Sequence, residues 1–412
     1  MSWLAEFDTR LAELAEANLT RTRRVVVPEQ GARLTVNGRS MLAFCSNDYL
    51  GLSGHPALKA AVHGAVDAYG VGSGGSPMVS GYSAANAALE TELAAFVQLP
   101  RALYFYAGYA TNASIVPALV GPGDAIFSDA LNHACLIDGA RLAKATIRRF
   151  DHADLAALDA QLAAEPARRK LILTDAVFSM DGDVAELRAL VALADRHDAL
   201  LLVDDAHGFG LLGPQGRGTL AAAGLTGGAA SPRVLYMATL SKALGAAGAF
   251  VAGPERLVEW LLQKTRSYTY ATAAPALLAE ALRAALRIVG SAEGDAMRAH
   301  LAGLIAQLRD GLAPGANAAV DAAGWYLMPS DTAIQPLVIG DNAAALRVMA
   351  GLQDAGLWVP AIRPPTVPAG TARLRIALSA AHRADEVEAL VRALRGLAAR
   401  CVVRLPAEGA AG

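Results

Sequence analysis

Lysine is scarce in this chain. Of 36 basic residues only five are lysines: Lys59, Lys144, Lys170, Lys242 and Lys264. Any chemistry that needs a lysine amine therefore has five candidates. Cysteine is scarcer still. Cys45, Cys135 and Cys401 form no Cys-x-x-Cys pair and leave an odd count, which argues against a disulfide framework or a zinc site. An excess of positive charge is also missing. The 36 Lys and Arg face 38 Asp and Glu, a formal net charge of −2, so no basic field is present to attract nucleic acid. Long apolar runs are absent: none approaches the roughly 18 residues of a membrane span, and none is expected. The N-terminal apolar pattern is interrupted by Glu6, Asp8 and Arg10, unlike a secretory signal. The expected location is the cytoplasm.

What is present is a large apolar chain. Its 412 residues are 54% hydrophobic and 18% charged, too apolar for disorder and long enough for a substantial core. At roughly 150 residues per domain, about two to three domains are expected. Residues 2–24 carry Trp3, Leu4, Phe7, Leu11, Leu14 and Leu19 near a 3.6 period, which predicts an amphipathic helix. Residues 25–45 read as short strands around an Asn37-Gly38 turn. From about 55, helical stretches (56–69, 84–98, 110–120) alternate with apolar runs at Ala102–Phe105, Ala125–Phe127, Leu171–Thr174, Leu200–Val203, Val234–Met237 and Phe250–Ala252. That alternation predicts an α/β domain with a mostly parallel sheet. After about 290 the texture becomes α+β: helices over 292–311, 342–355 and 383–399, strands at Ala333–Ile339 and Thr371–Leu378, and a Pro-rich segment over 360–368. The expected organisation is an N-terminal helix and short strands (1–50), a large α/β domain (51–289), a smaller α+β C-terminal domain (290–404) and a flexible tail (405–412).

Three segments point to chemistry. Leu200–Gly208 ends a buried strand in Asp204, with His207 three residues on. Ligands of open parallel sheets sit at the carboxyl ends of strands. A carboxylate there can keep a heterocyclic nitrogen protonated, although a helix-capping Asp with an exposed His reads as well. Val234–Gly248 carries Lys242 among small residues and hydroxyls. The other four lysines read as solvated surface charges, which is the common fate of lysine. Desolvation of Lys242 would turn its amine into a nucleophile. A strand-end Asp with Thr239-Leu240-Ser241-Lys242 downstream fits pyridoxal phosphate, whose aldehyde takes a lysine and whose ring nitrogen takes an acid. Tyr104–Val116 places Gly108 where a strand passes into a helix, a junction suited to phosphate; Tyr109 beside it packs on a ligand or in the core. His133 follows the 125–128 strand and reads either as a ring stacked on a planar cofactor or as a core histidine. Arg363, in Arg363-Pro364-Pro365-Thr366-Val367-Pro368, is held in a rigid, extended segment that suits carboxylate recognition, or is a surface arginine.

Taken together these motifs resemble the α-oxoamine synthases, a family of fold type I pyridoxal-phosphate enzymes with the aspartate aminotransferase-like architecture. The resemblance covers nearly the whole chain. It includes Met1–Trp3, Ser46–Leu52, Gly72–Ser76, Val79–Ser83, Val177–Asp183, Asp204–Gly208 and Ile362–Ile376. It implies pyridoxal 5'-phosphate held as a Schiff base on Lys242, with Lys242 also acting as base and acid. By the same resemblance, Asp204 pairs with the pyridinium nitrogen, His207 hydrogen-bonds the phenolic oxygen, His133 stacks on the ring and Ser179 faces the cofactor. Gly108, Tyr109 and Thr239 hold the phosphate, and Arg363 binds the amino-acid carboxylate. Arg21, Asn47, Ser76 and Thr366 contact substrate. The family's active site lies between two subunits, so a homodimer is implied, with Gly74–Ser76 and Thr272 reaching across it. Two places depart from the pattern: the lysine loop reads Thr-Leu-Ser-Lys-Ala-Leu-Gly where a more glycine-rich form is usual, and Pro77-Met78 replaces a Gly-His type pair. Both leave the chemical groups in place. The resemblance implies a decarboxylating condensation of an amino acid with an acyl thioester. The N-terminal helix with Arg21 and the Ile362–Gly370 segment favour L-alanine and a pimeloyl donor on coenzyme A or an acyl-carrier protein. Glycine C-acetyltransferase, 5-aminolevulinate synthase, serine palmitoyltransferase and a non-catalytic regulatory copy of the fold are the alternatives.

Overall fold

A computed structural model of the chain describes residues 2–17, 19–27 and 30–403. The predicted tail, 405–412, lies outside the described residues.

The apolar runs become one seven-stranded sheet. Its spatial order is Arg101–Phe105, Ala249–Gly253, Val234–Thr239, Leu200–Asp204, Lys170–Asp175, Ala125–Asp129 and Thr146–Phe150. Only Ala249–Gly253 runs antiparallel to its neighbours. The runs are continuously apolar because both faces are covered. Leu201, Val203, Tyr236 and Phe250 face one core, with the helices Pro56–Tyr69, Ala84–Val97 and Ala276–Val289. Leu202, Leu235, Met237 and Val251 face the other, with Gly108–Leu119, Ala134–Ala143 and Glu255–Lys264. Thr146–Phe150, which the sequence pattern did not predict, is an edge strand. Its Thr146-Ile147-Arg148-Arg149 stretch is exposed, so it lacks the apolar run of its neighbours.

The C-terminal region packs helices on a four-stranded antiparallel sheet ordered Tyr326–Leu327, Ile334–Gly340, Ala372–Ala377, Ala361–Ile362. The N-terminal hairpin, Arg33–Val36 and Arg39–Ala43, turns at Asn37-Gly38, both with positive φ, as a two-residue turn between Val36 and Arg39 requires. The second hairpin strand pairs in parallel with Leu357–Trp358. Leu42, Phe44 and Tyr49 belong to the same core as Leu301–Leu397. The chain's beginning is thus built into its C-terminal region.

The N-terminal helix is shorter than expected, Trp3–Glu16 rather than 2–24. Residues 19–25 carry no regular secondary structure; the β-branched Thr20 and Thr22 there lose side-chain freedom in a helix. Its apolar side stays in solvent in the single chain: Trp3 is 82% exposed and Phe7 56%.

His382 joins the two ends of the chain and sets a pH dependence. Its Nδ1 accepts the Ser379 N–H (3.0 Å), its Nε2 donates to the Ala43 carbonyl (2.9 Å), and its ring stacks on Phe44 at 4.4 Å. One nitrogen accepts and the other donates, so the neutral ring is fully satisfied. Burial lowers its pKa below the ordinary 6.5. A base with a depressed folded pKa contributes stability above its unfolded pKa, and that stability is lost as pH falls toward the folded value. His382→Gln keeps both hydrogen-bonding roles and removes the titration. It is expected to melt about 2–4 °C below the wild type at pH 7.5, with the gap closing by pH 5. Melting curves across that range check it.

Candidate active site

The carboxyl ends of the parallel strands carry the functional side chains. Strand register puts Asp175 beside Asp204, and Asp204 beside Met237, two residues before Thr239. Asp204 is 3% exposed. One oxygen accepts from Asn112 Nδ2 (2.6 Å) and the other from the Ala206 N–H (2.9 Å), which fixes its plane. Asp205 points away into the core, where it accepts from the Tyr236 hydroxyl (2.6 Å) and the Thr219 N–H (2.7 Å). Of the two adjacent acids, Asp204 is the one that faces this cluster. Asp175 accepts the His133 N–H (2.6 Å). Burial, and then the neighbouring Asp204, push its pKa far up.

Lys242 follows the Val234–Thr239 strand in a loop of small residues. A Gly245 N–H to Lys242 carbonyl bond (2.9 Å) closes the turn, and the positive φ of Gly245 lets the loop pack on Leu52 and Ser53. Burial pulls the Lys242 pKa below the ordinary lysine value, against the opposing pull of Asp204 and Asp175. A lowered pKa is the direction that a nucleophilic or proton-carrying amine needs.

The two histidines differ. His133 caps the Ala134–Ala143 helix, its Nδ1 accepting from the Cys135 N–H (3.3 Å), and its side chain is exposed. It is not the core histidine that was the alternative reading; its ring is free to meet a ligand. One edge of the ring is enclosed beside the Cys135 thiol (2.9 Å), and that partial desolvation lowers its pKa below the ordinary 6.5. His207 is buried, with Nδ1 2.7 Å from the Tyr49 hydroxyl. Burial, with the nearby Lys242 and Arg375 cations, holds its pKa far below 6.5, so the ring is neutral.

Tyr49 leads to a polar network. Its hydroxyl donates to Asn47 Oδ1 (3.1 Å), which also accepts from both terminal nitrogens of Arg375 (3.3 Å each). Arg375 Nε donates to the Ser179 carbonyl (2.6 Å). The structure therefore brings Asn47 and Ser179 together around Arg375.

The phosphate residues meet as well. Gly108 opens the Gly108–Leu119 helix, and a Cβ there would collide with the Thr239 methyl group. The preceding Ala107 makes no side-chain cap, so first-turn N–H groups of Gly108 and Tyr109 remain for a ligand. Tyr109 itself is exposed and bonds Asp138 through its hydroxyl.

Other expected residues lie elsewhere. Ser76 and Thr272 belong to adjoining loops tied by the Ala273 N–H to the Gly75 carbonyl (2.9 Å), on a surface where Val79 and Tyr270 are exposed. Arg363 lines an open cleft with Thr20, Thr22, Arg24, Trp358 and Pro360. Arg21 and Thr366 are exposed in the flanking segments. The segment after Arg363 is a turn, closed by the Thr366 N–H to Arg363 carbonyl bond (3.1 Å), and not the extended stretch expected from its prolines. The cation inside the Lys242–His207 cluster is Arg375. It, Asp175, Asn112 and Tyr49 were missed among the individual residues singled out from the sequence. The strand-end logic that selects Asp204 also selects Asp175, and Tyr49 and Arg375 stand within the motifs of the family resemblance.

The sequence pattern of the class I and II aminotransferases matches residues 39–394. Over 410 residues the chain is 68% identical to the 8-amino-7-oxononanoate synthase of Paracidovorax citrulli, covering 100% of this chain and 98% of that one. The chain belongs to the 8-amino-7-oxononanoate synthases. Among solved structures, the synthase of that name from Francisella tularensis is 28% identical with a TM-score of 0.73, covering 88% of this chain and 98% of that one. A serine palmitoyltransferase from S. paucimobilis, solved with a bound PLP–myriocin aldimine, is 29% identical with a TM-score of 0.86, covering 98% and 100%. The family fold is thus that of the fold type I pyridoxal-phosphate enzymes, as expected. Among the described residues, no helix is long and apolar enough to cross a membrane, and no cluster of His, Cys, Asp and Glu could hold a metal ion.

The residues present fit pyridoxal phosphate. A desolvated amine, a buried carboxylate with oriented donors, an open imidazole and a helix start closed against Thr239 share one sheet edge.

Proposed function

We propose that this chain catalyses the reaction for which its family is named, in biotin biosynthesis. It joins the α-carbon of L-alanine to the acyl carbon of a pimeloyl thioester, with release of the thiol and of the alanine carboxyl as CO2. The observation that carries the choice of substrates is the 68% identity over the full length. Backbone shape does not choose between synthases, because a serine palmitoyltransferase overlays as well or better at similar identity. The presence of Lys242, Asp204, His133 and His207 in one cluster argues against a non-catalytic copy.

When bound, pyridoxal phosphate supplies an electron-withdrawing ring that stabilises negative charge at the alanine α-carbon. Lys242 holds the cofactor through its amine. The same amine, when free, would take the proton from the alanine α-carbon and return one to that carbon after CO2 has left. Asp204, oriented by Asn112 and the Ala206 N–H, would pair with the ring nitrogen. His133 would stack on the ring, and the neutral His207, set by Tyr49, would meet its phenolic oxygen. Ser179 also faces the cofactor. The Gly108 and Tyr109 N–H groups and the Thr239 hydroxyl take the phosphate.

Arg375 takes the alanine carboxylate. Its Nε is committed to the Ser179 carbonyl, which leaves the two terminal nitrogens side by side at Asn47, a planar fork suited to a carboxylate. This replaces the role first assigned to Arg363. Arg363, Arg21 and Thr366 lie toward the open cleft, where the acyl donor, on coenzyme A or an acyl-carrier protein, would enter. Ser76 and Thr272 act across a homodimer interface. The enzyme works in the cytoplasm.

The test is a turnover matrix of alanine, glycine and serine against pimeloyl, acetyl, succinyl and palmitoyl thioesters. Alanine with pimeloyl is expected to exceed every other pair in kcat/KM by at least about tenfold. Preference for any other pair contradicts the assignment.

A further inference from the structure

The tight loop Phe178–Asp183, which carries Ser179, is held from two sides. On one side are guanidinium groups of the C-terminal strand Ala372–Ala377: Arg373 pairs with Asp181, and Arg375 donates to the Ser179 carbonyl (2.6 Å). On the other side is a single histidine with no role so far. His152 follows the edge strand Thr146–Phe150, where the chain turns back over the sheet through Ala153, at a positive φ of 59°. Its Nδ1 lies 3.0 Å from Asp129 Oδ1, and its Nε2 lies 2.8 Å from Asp183 Oδ2. Its ring meets Phe178 edge-on at 4.3 Å.

Both ring nitrogens therefore face carboxylate oxygens. A carboxylate only accepts, and a neutral imidazole has one N–H, so satisfying both contacts requires the imidazolium. The two hydrogen bonds, to Asp129 first and then to Asp183, raise the His152 pKa to about 10. Asp129 is itself fixed, 4% exposed and also accepting from the Leu131 and Ala153 N–H groups (2.8 and 3.1 Å). The loop is closed on itself by the Gly182 N–H to the Phe178 carbonyl (2.8 Å) and the Phe178 N–H to the Asp183 carbonyl (3.0 Å). These bonds join Asp183 to Phe178, the residue next to Ser179, and the Gly182 carbonyl is held in turn by the Ser330 and Thr332 hydroxyls (2.8 and 3.1 Å).

We propose that His152 is a positioning residue: its imidazolium ties the Ser179 loop to the end of the Ala125–Asp129 strand and thereby sets the Ser179 carbonyl that aims Arg375. With Arg373 and Arg375 on its other side, the loop is bridged between the large sheet and the C-terminal sheet. The functional part of this inference rests on the assignment of Arg375 to the amino-acid carboxylate; the clamp itself does not.

The test compares wild type with His152→Ala and Asp183→Asn. Amide hydrogen exchange in residues 178–183, measured without substrate, is expected to rise about tenfold in His152→Ala and less in Asp183→Asn, which keeps a hydrogen bond without the charge. In the loaded enzyme, KM for alanine is expected to rise about tenfold, with KM for the pimeloyl thioester changed less than about twofold. The hollow beside the ring is lined by Phe150, Leu155 and Phe178 together with Asp129 and Asp183, so imidazole added to His152→Ala has both an enclosed site and the two carboxylates to bind, and is expected to restore both readouts. Unchanged loop exchange in His152→Ala overturns the clamp. Loosened exchange with an unchanged alanine KM overturns the link to Arg375 and leaves the clamp standing. Faster exchange throughout the chain, without imidazole rescue, marks a general packing role and overturns the proposal. The exchange arm needs no turnover, so it stays decisive if the substrate assignment fails.

Discussion

Lys242→Ala is expected to lower turnover of alanine with a pimeloyl thioester by roughly 10⁵-fold. Two functions disappear with the amine. One is the covalent hold on the cofactor, and the other is proton transfer at the alanine α-carbon, itself worth about 10²–10⁴. No other lysine can substitute. Lys170 donates to the Leu162 carbonyl (2.9 Å) at the start of its strand, and Lys264 lies 5.3 Å over the Trp260 ring. The variant should fold, because Lys242 sits in a loop and the surrounding turn is made by backbone groups and Gly245. Steady-state assays of CO2 release and circular dichroism separate the two outcomes. A loss below about tenfold would remove Lys242 from the chemistry.

Asp204→Ala carries the second-largest effect, a loss of roughly 10³–10⁴ in kcat. A charge of opposite sign at close range keeps a ring nitrogen protonated, and without it the ring withdraws electrons poorly. The substitution also strands the Ala206 N–H, at about 1–3 kcal/mol for a buried group left unpaired, and leaves Asn112 Nδ2 with only the Cys135 thiol (3.2 Å). Asp204→Asn separates these costs. It keeps one acceptor, beside Asn112, and loses both the charge and the acceptor for the Ala206 N–H, so stability should recover only in part while kcat stays at least about 10²-fold down. Melting temperature and kcat measured on both variants check it. If Asp204→Asn kept full activity, charge at this position would be irrelevant.

Particular elements show how much of this was legible in the sequence. The six apolar runs of the large sheet were readable because parallel strands covered on both faces bury every residue. Thr146–Phe150 was not readable, since this exposed edge strand carries Arg148 and Arg149 opposite Phe127 and Ser128 and so has no apolar run. The two-residue strands Val26–Val27, Leu357–Trp358 and Ala361–Ile362 are too short to show any period. At the site, Asp204 and Lys242 stand out locally, one as a charge ending an apolar run and the other as a long cation among small residues. Arg375 does not. In Ala372–Ala377 it alternates with apolar residues as an arginine on a solvent face would. Only the fold shows that this strand lies against Ser179 and Asn47 and is buried along its whole length. The roles of Tyr49 and His152 are likewise set by partners more than twenty residues away.

Borohydride reduction of the pyridoxal-phosphate-loaded protein, followed by peptide mass mapping, tests the central claim most directly. With only five lysines, the assignment is unambiguous. A single reduced pyridoxyl adduct is expected on the peptide containing Lys242. An adduct on Lys59, Lys144, Lys170 or Lys264, or no adduct at all, would contradict the account.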